Sequence, residues 1–295
     1  MNHISAAEAV KRWRLSERSV RNYCAEGRVP GAFIAGKTWN IPEDAEKPDR
    51  LNKRIAHPTS LLSRLKEEKK AKLSGGIYHR IQIDLTYSSS RIEGSRLTHD
   101  QTRLIFETNT LCAADSVSVD DIVETANHFK CTDMIIDCAA HVLSGSFIKQ
   151  LHRILKNGTS DSRKDWFAVG DYKKLPNEVG GKATAAPEDV DARMKELLAE
   201  YNAVKEKTFD DLLDLHYLFE SIHPFQDGNG RIGRLLLFKE CLRSGIVPFI
   251  ITDDLKMFYY RGLNSWPTEP GCLRDTCLAA QDRFKKILDY FRIPY

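Results

Sequence analysis

The chain lacks any run approaching the roughly 20 apolar residues that a membrane span needs. It also lacks an apolar signal core at its start, where Met1-Asn-His-Ile-Ser-Ala-Ala-Glu-Ala-Val10 runs directly into Lys11, Arg12 and Arg14. No membrane partner is expected. Its seven cysteines are odd in number and form no CxxC pairs and no regular framework, which argues against a disulfide scaffold. They read as the reduced thiols of a cytoplasmic protein. The excess of positive charge is small, +3 over 295 residues, too little to make the whole chain a nucleic-acid or membrane-surface binder. No internal repeat and no low-complexity tract is present. What remains is an ordinary globular composition, 42% hydrophobic and 29% charged, long enough for one large domain and a small one.

The small unit comes first. Ser5-Ala-Ala-Glu8 is a capping-box pattern that starts a helix whose apolar face is Ala6, Ala9, Val10 and Trp13. Ser16 caps a second helix with Val20 and Tyr23 facing inward, at helix-turn-helix spacing. Gly27-Arg-Val-Pro-Gly31 breaks it, and Phe33 to Ile41 alternates around Gly36 as a short hairpin would. Residues 10–37 hold seven Lys/Arg against two Asp/Glu, a local charge of +5.

Beyond about residue 55 the periodicity is helical. Leu61, Leu62 and Leu65, then Ile81, Ile83 and Leu85, mark helix faces separated by Ser74-Gly-Gly76. Segments 98–108, 118–156, 188–206, 208–222, 230–244, 253–265 and 273–291 all read as helices. The main exception is the Gly-rich stretch Trp166 to Pro187, which suits a short hairpin or flap.

The chemistry concentrates in His223-Pro-Phe-Gln-Asp-Gly-Asn-Gly-Arg-Ile-Gly-Arg234. Gly228-Asn-Gly230 can turn successive backbone N–H groups into an anion-binding nest, and the positive end of the following helix points at the same place. Arg231 and Arg234 lie three apart on that helix and suit phosphate oxygens. Asp227 is a hard oxygen ligand suited to Mg²⁺. His223, at the end of the preceding helix, can serve as general base near neutral pH. An anion cradle, a metal ligand, positioned cations and a base are the parts of a phosphoryl-type transfer site.

This motif resembles the Fic family signature at every defining position, and the resemblance extends over about residues 55–295. It implies a mainly α, helical Fic-type bundle with a short β-hairpin flap. It implies a bacterial cytoplasmic protein adenylyltransferase: His223 deprotonates a hydroxyl of a target protein, Asp227 holds Mg²⁺, and AMP passes from ATP with release of pyrophosphate. Gly228, Asn229, Gly230, Arg231, Ile232, Gly233 and Arg234 would line the phosphate site. Leu151-His-Arg-Ile-Leu155 resembles the helix before the flap. Asn177, Glu178, Val179 and Gly180 would form the flap edge, although Thr184-Ala-Ala186 stands where the family has a proline pair. Tyr259 and Tyr260 suit a base pocket and a core equally. The phosphate motif does not separate ATP from other nucleotides, and removal of AMP by an activated water uses the same scaffold.

Ser89-Ser-Arg-Ile-Glu93-Gly94 resembles the inhibitory motif of the family, with Gly94 as a helix C-cap. By that resemblance Ser89 and Glu93 restrain the site, Glu93 taking Arg234 from the γ-phosphate. The first unit resembles the winged helix-turn-helix of the MerR and excisionase-like group. Ser16, Arg18, Ser19, Arg21 and Asn22 at the start of the second helix, with Lys37 in the wing, would contact DNA, with a homodimer expected. A helical protein-docking module is the competing reading, and a transcription regulator with a nucleotide-sensing Fic domain the competing function. The expected layout is residues 1–49 as the DNA-binding unit, 50–97 as linker and inhibitory helix, and 98–295 as the catalytic domain.

Overall fold

The computed structural model describes residues 3–13, 15–25, 29–36, 38–47, 60–112 and 116–295, and of Arg18 the backbone alone. The described residues are mainly helical and fall into two compact units, Met1–His57 and Pro58–Tyr295.

In the first unit, strand β1 (His3–Ser5) leads into α1 (Ala6–Trp13), followed by α2 (Glu17–Ala25), β2 (Phe33–Ala35) and β3 (Thr38–Pro42). The capping box forms as expected: the Ser5 N–H donates to Glu8 Oε2 at 2.7 Å and the Glu8 N–H to Ser5 Oγ at 3.3 Å. Ser16 Oγ accepts from the Ser19 N–H at 3.2 Å and caps α2. The sheet has antiparallel order β1-β3-β2, with His3 opposite Pro42 and Ala35 opposite Thr38. Strand β1 is too short to carry a period and was not anticipated. Ala6, Ala9, Trp13, Val20, Cys24, Val29 and Ile41 form the core of this unit, with Val10 and Tyr23 packed at its edge.

The second unit contains α3 (Leu61–Ala71), α4 (Ile77–Ile92), α5 (His99–Thr108), α6 (Val119–Asp137), α7 (Gly145–Lys156), the hairpin β4 (Glu178–Val179) and β5 (Lys182–Ala183), then α8 (Val190–Ala203), α9 (Phe209–Ile222), α10 (Asn229–Ser244), α11 (Lys256–Ser265) and α12 (Gly271–Phe291). The expected single helix over 118–156 is two. Cys138 ends α6, and Ser144 caps α7 by accepting from the Phe147 N–H at 3.3 Å. The break folds α7 back antiparallel on α6, where Asn127 Nδ2 donates to the carbonyls of Leu155 and Asn157 at 3.1 and 2.7 Å. Leu61, Leu65, Ile77, Ile81 and Leu85 belong to the same core cluster as Ile135, Leu151, Phe219 and Leu235, so α3 and α4 are integral to this body.

Helix α10 runs through the centre and is buried over nearly its whole length. Capping boxes at Thr98 and Thr208 fix the starts of α5 and α9. In the hairpin, Gly180 and Gly181 both have positive φ, 58° and 76°, as a two-residue primed turn demands. No helix among the described residues is long and apolar enough to cross a membrane.

Candidate active site

Helix α9 ends at His223, which adopts the left-handed conformation (φ 51°) while its N–H still bonds to the Phe219 carbonyl at 3.0 Å. A non-glycine residue in this region is held there by its surroundings, as is common at functional positions. Burial is the main influence on the His223 imidazole and pushes its pKa down to about 4; a hydrogen bond with the Glu220 backbone opposes this and the Lys173 ammonium adds to it. The ring is therefore neutral near pH 7 and able to accept a proton.

Five residues on, Gly228 (φ 84°) turns the chain into α10. Asn229 is buried, and its side chain closes the loop on itself: Oδ1 accepts from the Phe225 N–H at 2.8 Å and Nδ2 donates to the Phe225 carbonyl at 2.7 Å. Its side chain thus shapes the nest instead of presenting itself to a ligand. Ile232 is wholly buried in the core and its N–H bonds to the Gly228 carbonyl. Gly233 is a packing position: a Cβ there would lie 2.4 Å from Glu220 Oε1 and 3.0 Å from the His216 ring. The Ile232 side chain and the Cα face of Gly233 are thus taken up by packing.

Glu93 lies over the first turn of α10. A Cβ on Gly230 would fall 2.3 Å from Glu93 Oε1, so a carboxylate already rests against the anion-binding end of the helix. The same oxygen accepts from Arg234 Nη2 at 2.6 Å. Arg234 also donates to Ser89 Oγ at 3.0 Å and to the Ser89 carbonyl at 2.9 Å. Burial opposes the charge on Arg234, but the Glu93 carboxylate outweighs it and raises its pKa. Ser89 and Glu93 thus meet Arg234 from 145 and 141 residues away in sequence, as expected.

Asp227 keeps half its side chain exposed (50%). Its Oδ2 accepts from Lys156 Nζ at 2.7 Å and Arg231 Nη2 at 3.1 Å. Burial would raise its pKa, yet Arg231 and Lys156 hold its carboxyl well below the usual range. An ionised, half-open carboxylate beside the nest fits a divalent cation shared with phosphates. The Arg231 side chain is buried and engaged with Asp227 and Glu124. Among the described residues, Glu124, Asp161 and Asp227 bring carboxylate oxygens within 4.8 Å of one another.

The flap is tied to the loop by a residue the sequence did not single out. Buried Lys173 donates from Nζ to Asn177 Oδ1 at 2.7 Å and Thr184 Oγ1 at 2.6 Å, and its N–H bonds to the Pro224 carbonyl at 2.8 Å. Asn177 Nδ2 donates to the Phe225 carbonyl at 3.0 Å, so this side chain anchors the flap, while Glu178 and Val179 are exposed on its hairpin. Thr184 thus serves as a flap anchor.

Tyr259 is core: it is 1% exposed and its hydroxyl pairs with His216 Nε2 at 2.7 Å. Tyr260 beside it is only partly buried. His152 was also missed. It stacks flat on Phe225, centroids 4.0 Å apart, and its Nδ1 accepts from the Gly170 N–H at 2.9 Å. Its Nε2 therefore carries the proton and donates to the Asp227 carbonyl at 3.1 Å. In the first unit Ser19, Arg21 and Asn22 lie on α2 behind the Ser16 cap, Arg21 pairing with Glu17 at 2.6 Å. Lys37 and the Arg18 side chain lie outside the described residues.

The sequence model of the Fic/DOC family matches residues 142–240, the span from α7 through most of α10. Over that span the chain is similar to the Fic/DOC family. Curated relatives similar to it are named protein adenylyltransferase Fic: that of Drosophila grimshawi is 28% identical over 213 residues, covering 70% of this chain and 42% of the relative. That of Drosophila willistoni is 29% identical over 214 residues, covering 70% and 40%. The chain thus spans about two fifths of these relatives. A Fic domain containing signaling protein from Bacteroides thetaiotaomicron VPI-5482 superposes with a TM-score of 0.59 at 27% identity, covering 78% of this chain and 90% of that one. Fic-1 from C. elegans shares the fold at 21% identity, with a TM-score of 0.58 over 78% of this chain and 70% of that one. The loop His223–Arg234 lies within the matched span.

Proposed function

We propose that the chain transfers AMP from ATP to a protein hydroxyl and that Glu93 restrains this reaction. The carrying observation is one loop that sets a neutral His223, an ionised Asp227 and the N-terminus of α10 side by side. His223 takes the proton of the target hydroxyl at a ring nitrogen as the oxygen attacks the α-phosphorus. The α–β anhydride bond breaks and pyrophosphate leaves with the bonding pair. Gly228, Gly230 and the α10 dipole receive phosphate charge through the backbone. Arg234 is the group for the terminal phosphate, and its release from Glu93 is the price of a productive pose. Asp227 would hold the magnesium ion, which supplies charge neutralisation to the phosphates. The adenylyltransferase names of the similar relatives support this reading.

Incubation of the wild type, Glu93→Gly and Glu93→Gly/His223→Ala with ATP and candidate proteins, read by intact mass, tests it. An adduct of one AMP is expected with Glu93→Gly, less with the wild type and none with the double variant. Absence of an adduct from every form sinks the proposal.

A DNA role for the first unit is favoured by two short helices on a three-stranded sheet, with Arg21 and Asn22 exposed on α2. This unit is expected to take the chain to DNA as a homodimer, the Fic domain then acting as enzyme or nucleotide sensor. A gel shift on promoter fragments that Arg21→Glu weakens supports it; unchanged mobility with the wild-type chain removes it.

A further inference from the structure

Lys156, the last residue of α7, is 2% exposed, and its ammonium does not point to solvent. Three carboxylate oxygens converge on its Nζ: Glu124 Oε1 at 2.5 Å, Asp161 Oδ2 at 2.7 Å and Asp227 Oδ2 at 2.7 Å. They come from α6, from the turn after α7 and from the Fic loop. This is how ligands gather around a metal, with an ammonium in the metal's place. The ring of Phe167, centroid 5.4 Å from Nζ, closes another side. The C-terminal end of α7 also favours a cation here.

We propose that Lys156 is the resident cation of the Asp227 cluster, orienting that carboxylate and keeping divalent ions out until phosphates arrive. The inference rests on the reading of Asp227 as the ligand of a nucleotide-bound divalent ion. The charges decide it. Glu124, Asp161 and Asp227 supply three negative charges against Lys156 and Arg231, leaving −1, with Lys164 at the rim 2.7 Å from Asp161. A divalent ion added to this set would overcharge it and would have to displace a buried ammonium from three oxygens. Phosphates change the balance by bringing their own negative charge and oxygens. Asp227 can meet them because its side chain is half exposed while the ammonium is enclosed. Lys156 is thus a positioning residue: it acts through Asp227.

The test is Mn²⁺ binding to the full chain without nucleotide, read by the loss of the free-ion electron paramagnetic resonance signal. Lys156→Met keeps the length of the side chain, removes the charge and leaves three carboxylates facing Arg231. It is expected to bind Mn²⁺ roughly ten-fold or more tighter than the wild type, by the gain of an oxygen cage of net charge −2. Lys156→Arg should stay weak, and Lys156→Met/Glu124→Gln should lose much of the gain. The wild type, which needs no variant to fold, should bind Mn²⁺ weakly alone and tightly with a non-hydrolysable ATP analogue. Tight nucleotide-free binding by the wild type, or equal affinity of wild type and Lys156→Met, overturns the proposal. These readouts need no turnover. A chain that binds Mn²⁺ as expected but never transfers AMP contradicts the proposed reaction and leaves Lys156 as assigned.

Discussion

Replacing Glu93 by glycine removes the carboxylate that the structure pairs with Arg234 at the start of α10. The pair is short, 2.6 Å, with Arg234 5% exposed and Glu93 29% exposed. Unit charges this close attract by about 4 kcal/mol or more at an effective dielectric near 20. Desolvation and the partial exposure of Glu93 cancel much of that, leaving a net advantage of ~1–3 kcal/mol. A nucleotide that needs Arg234 must overcome this amount, which corresponds to roughly five- to 150-fold in rate. Removing Glu93 also leaves the buried Arg234 guanidinium bonded to the Ser89 hydroxyl and carbonyl but without its paired carboxylate, which costs stability. Glu93→Gly should therefore transfer faster and melt lower. The assay is the initial rate of labelling with radioactive ATP, paired with thermal unfolding. Glu93→Gln separates charge from shape and should fall between the two. Equal rates for wild type and Glu93→Gly refute the reasoning, as does a Glu93→Gln protein indistinguishable from wild type.

His152→Phe keeps the stack on Phe225 but loses the bonds to Gly170 and Asp227; transfer in the Glu93→Gly background should fall about ten-fold or more, and unchanged transfer would show that the loop holds itself. Thermal stability should peak near pH 6.5. Burial depresses His128 and His216 to about 3 and His152 and His223 to about 4, so the unfolded chain takes up more protons as pH falls below 6.5 and stability drops. Burial raises Glu220 to about 8, so its contribution is complete below about pH 4.5 and fades as pH rises toward 8. Glu220→Gln should flatten the alkaline limb, and a limb of unchanged slope would contradict this. Gly262→Ala would put a Cβ 2.6 Å from the Leu273 Cα where α11 crosses α12, and should cost ~2 kcal/mol or more, read as a lower denaturant midpoint.

The local signals in the sequence carried far. Ser5 with Glu8, Ser16 and the twelve-residue loop each act through neighbours within a turn or two, so their geometry is written in their spacing. Glu93 and Arg234 became a pair only because the motif named a cation in need of a partner. The features that escaped depend on distant contacts. The apolar pattern of 118–156 continues across the bend, and only the capping by Ser144 and the packing of α7 on α6 end the first helix. Tyr259 finds His216 from 43 residues away. Lys156, Glu124 and Asp161 are unremarkable charges until three elements bring them together. Asn229 shows a different limit: the motif marks the residue, but its side chain is spent on Phe225.

The central claim is the transfer of the AMP moiety by His223. It is tested most directly by incubating Glu93→Gly with ATP labelled at the α-phosphate in one sample and at the γ-phosphate in another, beside the same variant carrying His223→Ala. Protein-bound label from α-labelled ATP alone, abolished by His223→Ala, is the predicted result. Label from γ-labelled ATP, or α-label that survives the loss of His223, contradicts the account.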